Sequence, residues 1–186
     1  MRAIVPLADG FEEIEAVTII DLLRRAKIDV VVAGVSGLRA TGSHGIAVRC
    51  DVLLQDCDVA AADAFVLPGG PGTSVLRESA AVRAGVMAMA ERGKLLAAVC
   101  AAPTVLEACG VLRGKRATSH PDHAAALASA RYETTDVVED GNLITSRGAG
   151  TSIEFALAVV RRLAGDDVAR DIAARIQYRS SHASAT

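Results

Sequence analysis

Hydrophobic residues in this chain fall into short unbroken runs separated by stretches with helical spacing. "RAIVPL" (2–7), "IDVVVAG" (28–34), the start of "DAFVLPGGPG" (63–72) and "KLLAAV" (94–99) are runs of strand length with no polar alternation. Such runs suit strands covered on both faces. "EEIEAVTIIDLLRRAK" (12–27) has a helical period, with acids at its start and Arg24, Arg25 and Lys27 at its end, as the helix dipole favours. "AAVRAGVMAMAERG" (80–93) reads as a helix ending at Gly93, and "PTVLEACG" (103–110) as a short helix.

The remaining segments are less regular. In 38–58, "GIAVRC" and "DVLL" read as short strands of a small extension. Asp140-Gly141 within "VVEDGNLITSRG" (137–148) signals a hairpin. Thr151 and Glu154 have capping-box spacing ahead of "SIEFALAVVRRLAG", and a last helix is expected over roughly 166–178. Strands alternating with helices predict an α/β fold, a mostly parallel sheet with helices on both faces. We find no repeat or linker, so the reading is one domain over 1–178, with 179–186 a flexible tail.

Composition narrows the functions. Aromatics are only 3% of the 186 residues, so a core must be built from Val, Leu, Ile and Ala. With 20 Lys plus Arg against 22 Asp plus Glu there is no field to gather polyanions, and nucleic acid is not an expected partner. No run reaches the ~18 apolar residues of a membrane span, and "MRAIVPLADGFEE" has too short an apolar stretch for a signal peptide. The four cysteines, Cys50, Cys57, Cys100 and Cys109, form no CxxC pair, so reduced thiols and a cytoplasmic location are expected.

Candidate chemistry centres on Cys100, at the carboxyl end of an apolar strand and directly before a helix. Ligands of open α/β sheets bind beyond those ends, and a residue on a sharp strand-to-helix turn projects into the cleft. Ala101 and Ala102 let the turn close, and Pro103 suits the first turn of a helix whose N-terminus favours thiolate. A small buried hydrophobe is the plainer account of such a cysteine, and it suffices for Cys109.

Glu15 falls within the apolar arc of the first helix, whereas Glu13, Asp21, Arg24 and Arg25 fall on the opposite one. A carboxyl on a buried face has a raised pKa and can stay protonated, unless it snorkels to solvent. Glu12 also lies in the apolar arc, but its place in the first turn is explained by the dipole. "LPGGPGTS" (67–74) lacks the Gly-Lys-Ser/Thr of a phosphate loop, and no GxGxxG follows a strand, so a nicotinamide cofactor is unsupported. Gly69 and Gly70 can bring backbone N–H groups up to an oxyanion, although a plain tight turn explains the same glycines. His120 follows "KRAT" and is placed to face the cleft; with His123 it has no third ligand at metal spacing, so no metal is expected. His44 and His182 read as surface residues.

Assembled, "DGFEEIEAV", "DLLRRA", "VLPGGPG", "AAVCAAP", "TSHP" and "LITSRGAGTSIEFAL" closely resemble the ThiJ/PfpI superfamily, and within it the branch of the Parkinson-associated protein deglycase and its bacterial relatives. The resemblance implies a flavodoxin-like three-layer sandwich and a homodimer. It implies Cys100 as nucleophile, Glu15 as the protonated partner of its thiolate, His120 nearby, and N–H groups of Gly70 and Ala101 facing the oxyanion. Asp21, Arg24 and Arg25 match the family's interface helix, and Arg147, Gly148 and Thr151 the loop rimming the site. The protease-like branch has histidine directly after the cysteine; Ala101 stands there instead, which argues against peptidase or amidotransferase activity. The branch's frequent "GPG" is "GAG" here (148–150). The implied activity is a cofactor-independent glyoxalase or deglycase acting on methylglyoxal-like α-oxoaldehydes, with small reactive carbonyls and glycated proteins as partners. The competing expectation is an oxidation sensor or redox-activated chaperone using the same thiol.

Overall fold

The computed structural model describes residues 1–179. The expected loose tail lies, except for residue 179, outside the described residues, as does His182. The first half runs β1 (Arg2–Leu7), α1 (Glu13–Arg25), β2 (Asp29–Gly34), β3 (Arg39–Thr41), β4 (Ala47–Arg49), β5 (Val52–Leu53), β6 (Ala64–Leu67), α2 (Thr73–Glu78) and α3 (Ala80–Glu91). The second runs β7 (Leu95–Val99), α4 (Pro103–Ala108), β8 (Arg116–Ala117), β9 (Arg131–Tyr132), β10 (Val137–Asp140), β11 (Leu143–Ser146), α5 (Ser152–Ala164) and α6 (Asp166–Arg175).

Seven strands make the central sheet in the order β10-β11-β7-β6-β1-β2-β5, parallel throughout except for the β10–β11 hairpin. Alternate residues of each central strand serve different layers. Ala3, Val5 and Leu7 pack with Ile19, Leu23, Phe155 and Val159 of α1 and α5. Ile4, Phe65, Leu67 and Leu96 pack with Leu76, Val86, Met89 and Leu106 of α2, α3 and α4. Both sets are apolar, which is why these strands show no alternation in sequence. Each fully buried Leu, Ile or Phe contributes roughly 1.5–3 kcal/mol, so the two layers hold the sheet firmly.

β2 lies on one side of β1 and β6 on the other, so the chain reverses direction around β1. A crevice opens at such a switch point, beyond the carboxyl ends of the strands. The loops after β1, β6 and β7 meet there and are laced together: the Glu12 N–H donates to Gly69 O at 3.0 Å and the Gly72 N–H to Gly10 O at 2.8 Å.

Local expectations fail in four places. "DVLL" contributes β5 to the edge of the main sheet, so only β3–β4 forms a separate extension. α2 has no counterpart in the sequence reading, because six residues are too few to show a helical period. Thr151 does not form the capping box; its hydroxyl accepts the Gly148 N–H at 3.1 Å and donates to Gly148 O at 2.9 Å, within a short 3-10 turn, while Glu154 accepts from Tyr178. Glu13, assigned to the polar arc, is buried because residues 42–46 fold over it. Its carboxylate accepts the His44 N–H at 2.7 Å and the Ser43 hydroxyl at 3.2 Å and lies 3.0 Å from His44 Nδ1. Burial alone raises this carboxyl's pKa, but the His44 and Ile46 donors outweigh it and hold it at about 2.

Candidate active site

β7 ends at Val99 and α4 begins at Pro103, so three residues must reverse the chain. Cys100 takes the strain, with φ +63°, a region that non-glycine residues enter at a cost of about 1–3 kcal/mol. Its backbone is pinned on both sides: its N–H donates to Ser146 O at 3.0 Å and its carbonyl accepts the His120 N–H at 2.9 Å. The elbow therefore belongs to three segments at once, and the side chain faces a cleft rather than the core.

Glu15 is fully buried in the first turn of α1 and reaches the same point from β1's side of the sheet. Its Oε2 accepts the Gly69 N–H at 2.7 Å, while Oε1 receives no aligned hydrogen bond among the described residues. Gly69, which the sequence pairs with Gly70 as an oxyanion donor, is thus occupied by Glu15. Backbone N–H groups of Gly70 and Ala101 bear on the Cys100 sulfur. Gly70 has φ +90°, and a Cβ there would lie 2.6 Å from Glu12 N, so this turn is reserved for glycine.

Burial pushes the Glu15 carboxyl up to about 7, against the pull of the Gly69 N–H and the Cys100 thiol. Burial, then the neighbouring Glu15 charge and its hydrogen bond, push the Cys100 thiol up to about 12, against the pull of the Gly70 and Ala101 N–H groups. The sequence expectation of a thiolate favoured by the helix N-terminus is therefore incomplete. α4 has only six residues, and burial together with the neighbouring carboxyl outweighs it. Carboxyl and thiol form a coupled pair that loses its first proton near neutrality and holds the second well into the alkaline range.

The cleft over Cys100 has a volume of about 410 Å³ and is lined by Gly70, Thr73, Arg77, Ala101, Thr104 and His120 among others. His120 is placed as the sequence suggests, but its Nδ1 accepts the Asp122 N–H at 3.3 Å and sits 3.6 Å from the Asp122 carboxylate. Gly148 lies against the His120 ring, with a Cβ position 3.6 Å from Cδ2, and Arg147 is bonded away to Thr134 O. Thr73, Thr104 and Arg77 escaped the sequence reading. The i, i+4 spacing of Thr73 and Arg77 beside the glycine turn was the available signal. Away from the cleft, Glu12, Glu13 and His44 offer ligand atoms within 4.8 Å of one another, but Glu13 is already engaged by the 42–46 loop. Among the described residues no helix is long and apolar enough to cross a membrane.

Fold and site together define a flavodoxin-like α/β protein with a strained cysteine at the elbow of a central strand and a buried acid beside it. The chain belongs to the DJ-1/PfpI family, whose pattern matches residues 1–162. It is 45% identical over 183 residues to protein dj-1beta of Drosophila melanogaster, covering 92% of this chain and 94% of that one. The crystal structure of Drosophila melanogaster DJ-1beta superposes with a TM-score of 0.91 at 40% identity, over 96% of this chain and 98% of the other. The glutathione-independent glyoxalase DJR-1.2 of Caenorhabditis elegans is 35% identical over 158 residues, 84% of each chain. The chain spans 38% of the length of the Arabidopsis thaliana DJ-1 homolog B, to which it is 44% identical over 167 residues.

Proposed function

We propose that this protein is a glutathione-independent glyoxalase converting small α-oxoaldehydes such as methylglyoxal to α-hydroxy acids. The observation that carries the reading is the convergence on Cys100 Sγ of the Glu15 carboxyl and two backbone N–H groups, at a cleft-facing elbow. Near neutrality the Glu15–Cys100 pair holds one proton. With that proton on Oε1, the oxygen lacking a donor, the thiolate lies under the Gly70 and Ala101 N–H groups and is the nucleophile. Its attack on the aldehyde carbon gives a hemithioacetal whose oxyanion takes over those N–H groups. Glu15 gives its proton to that oxygen and, now ionised, carries a proton from the former aldehyde carbon to the adjacent ketone carbon, while the hydroxyl proton passes to the former ketone oxygen. Water then cleaves the resulting thioester to the hydroxy acid. His120 holds the Cys100 carbonyl through its backbone and walls the cleft. The same chemistry extends to early glycation adducts on proteins, which makes deglycation a second activity of the site and protection against reactive carbonyls its role. The test is lactate production from methylglyoxal without glutathione, wild type beside Cys100→Ser; no lactate from wild type overturns the reading.

The oxidation-sensor reading draws on one further fact: of the four free thiols, Cys100 is the one lining this cleft. Its sulfinate would take the same N–H donors and a hydrogen bond from protonated Glu15. We also propose a homodimer built on α1, because Ile14 is 57% and Val17 49% exposed, an apolar face lying near the Asp21–Arg25 ion pair.

A further inference from the structure

We propose that the cleft beside Cys100 selects α-oxoaldehydes that carry a carboxylate on their carbon chain, and that Arg77 is the residue recognising it. The inference rests on the glyoxalase reading and adds the substrate class. Arg77 lines the cleft from the last turn of α2, and its guanidinium makes no hydrogen bond or ion pair among the described residues. Arg83 donates to the Arg77 carbonyl oxygen at 3.4 Å, which ties the end of α2 to α3. Thr73 lies one helical turn before Arg77, on the same face of α2. It is 6% exposed, lines the same cleft, and its buried Oγ1 has no hydrogen-bond partner among the described residues. A buried hydroxyl without a partner is uncommon in folded proteins, and this one, lining the cleft one turn from Arg77, is placed to bond a polar group bound there.

Charge balance supports the assignment. The Glu15–Cys100 pair carries one negative charge at the cleft floor near neutrality, which repels an anionic substrate unless a cation offsets it. The acid facing the cleft from the other side is Asp122, whose side chain is 83% exposed and turned to His120 at 3.6 Å. Solvent screens that carboxylate and the exposed Arg77 alike. Asp122 is turned to His120, however, whereas the Arg77 guanidinium has no partner among the described residues, so Arg77 is the charge left to meet an anion at the rim. Arginine's planar fork also matches a carboxylate in two hydrogen bonds, which a neutral methyl group cannot use.

A substrate of this class is 4,5-dioxopentanoate. Cys100 Sγ bonds to its aldehyde carbon, the hydrogen on that carbon passes as a proton through Glu15 to the ketone carbon, and water cleaves the thioester. The products are 2-hydroxyglutarate, one released proton and the restored thiol–carboxyl pair, with no external oxidant or reductant.

The first test is independent of turnover. Cys100 is alkylated with iodoacetate and with iodoacetamide, and the ratio of the two rates is compared between wild type and Arg77→Ala. The ratio is expected to fall roughly fivefold, the effect of one charge at partly solvated distance, and Arg77→Lys should recover part of it. An unchanged ratio overturns the proposal, and so does an equal loss of both rates. The second test compares kcat/KM for 4,5-dioxopentanoate with that for methylglyoxal. In Arg77→Ala the quotient is expected to fall about tenfold through KM of the anionic substrate. Turnover of methylglyoxal by wild type with no preference for the anion overturns Arg77 as the selector. If wild type turns over neither compound, the glyoxalase reading fails and the substrate class with it, while the alkylation ratio still decides whether an anion site exists.

Discussion

The Glu15 carboxyl and the Cys100 thiol meet across the bare Cα of Gly69. A Cβ on that glycine would lie 2.7 Å from Cys100 Cβ and 2.9 Å from Glu15 Oε2. The acid and the thiol are thus brought together by the absence of a side chain on a third strand's turn.

Gly69→Ala is therefore expected to separate the pair. Val99 O, 2.9 Å from the same Cβ position, is backbone and cannot yield cheaply. The variant should lose about 1–3 kcal/mol of stability, the range for overpacking a filled site. Its methylglyoxal turnover should fall at least as far as that of Glu15→Gln. Thermal melts beside steady-state lactate assays check both, and wild-type activity in the variant would mean that the contact is not needed.

Glu15→Gln keeps the shape and the acceptor for the Gly69 N–H but cannot transfer protons. Turnover should drop by roughly 10²–10⁴-fold, the range for losing a general acid–base group. If the variant turns over normally while Cys100→Ser is dead, the shuttle lies elsewhere, with His120 the next residue to test.

The same substitution should change the pH dependence of stability. The folded pKa of Glu15, about 7, lies above the value near 4.3 of an unfolded carboxyl. Between those two pH values the fold binds a proton that the unfolded chain has lost, so wild-type stability declines as pH rises through the window. The decline amounts to on the order of 3 kcal/mol. Glu15→Gln should lack it, so in urea melts from pH 4.5 to 8 the variant should gain on wild type. A gap between the two that stays constant with pH would contradict the raised pKa.

All four thiols have pKa values raised by burial, so access and N–H donors decide which reacts. Mass spectrometry after substoichiometric peroxide or iodoacetamide should find Cys100 modified first. Preferential labelling of Cys57 or Cys109 would remove the basis for its role as nucleophile.

Two expectations concern parts of the fold away from the cleft. Sedimentation at micromolar concentration should give twice the chain mass of 19.2 kDa, and a monomer would refute the α1 dimer. Glu13→Ala should lower stability by removing the acceptor that ties down the 42–46 loop, whose exposed donors water can then serve. It should leave the Cys100 alkylation rate within about twofold of wild type if the loop acts only on stability.

What the sequence determined by itself was the layered α/β architecture, because unbroken apolar runs in Ala3–Leu7, Ala64–Leu67 and Leu95–Val99 have no stable place except between two helical layers. It also marked Cys100, since a thiol at a strand end before Ala-Ala-Pro points to an elbow, and Glu15, since a carboxyl on an apolar arc is conspicuous against its helix. The tertiary structure decided what those groups do to one another. A helical wheel shows which face a residue occupies but not what covers that face, and Glu13 on the polar arc is buried by a loop some thirty residues on. The direction of the Gly69 N–H, the pairing of Glu15 with the thiol and the turn of Arg77 toward the cleft all arise where the loops after β1, β6 and β7 meet. They depend on distances between segments far apart in the chain, and periodicity records only the neighbours within one segment.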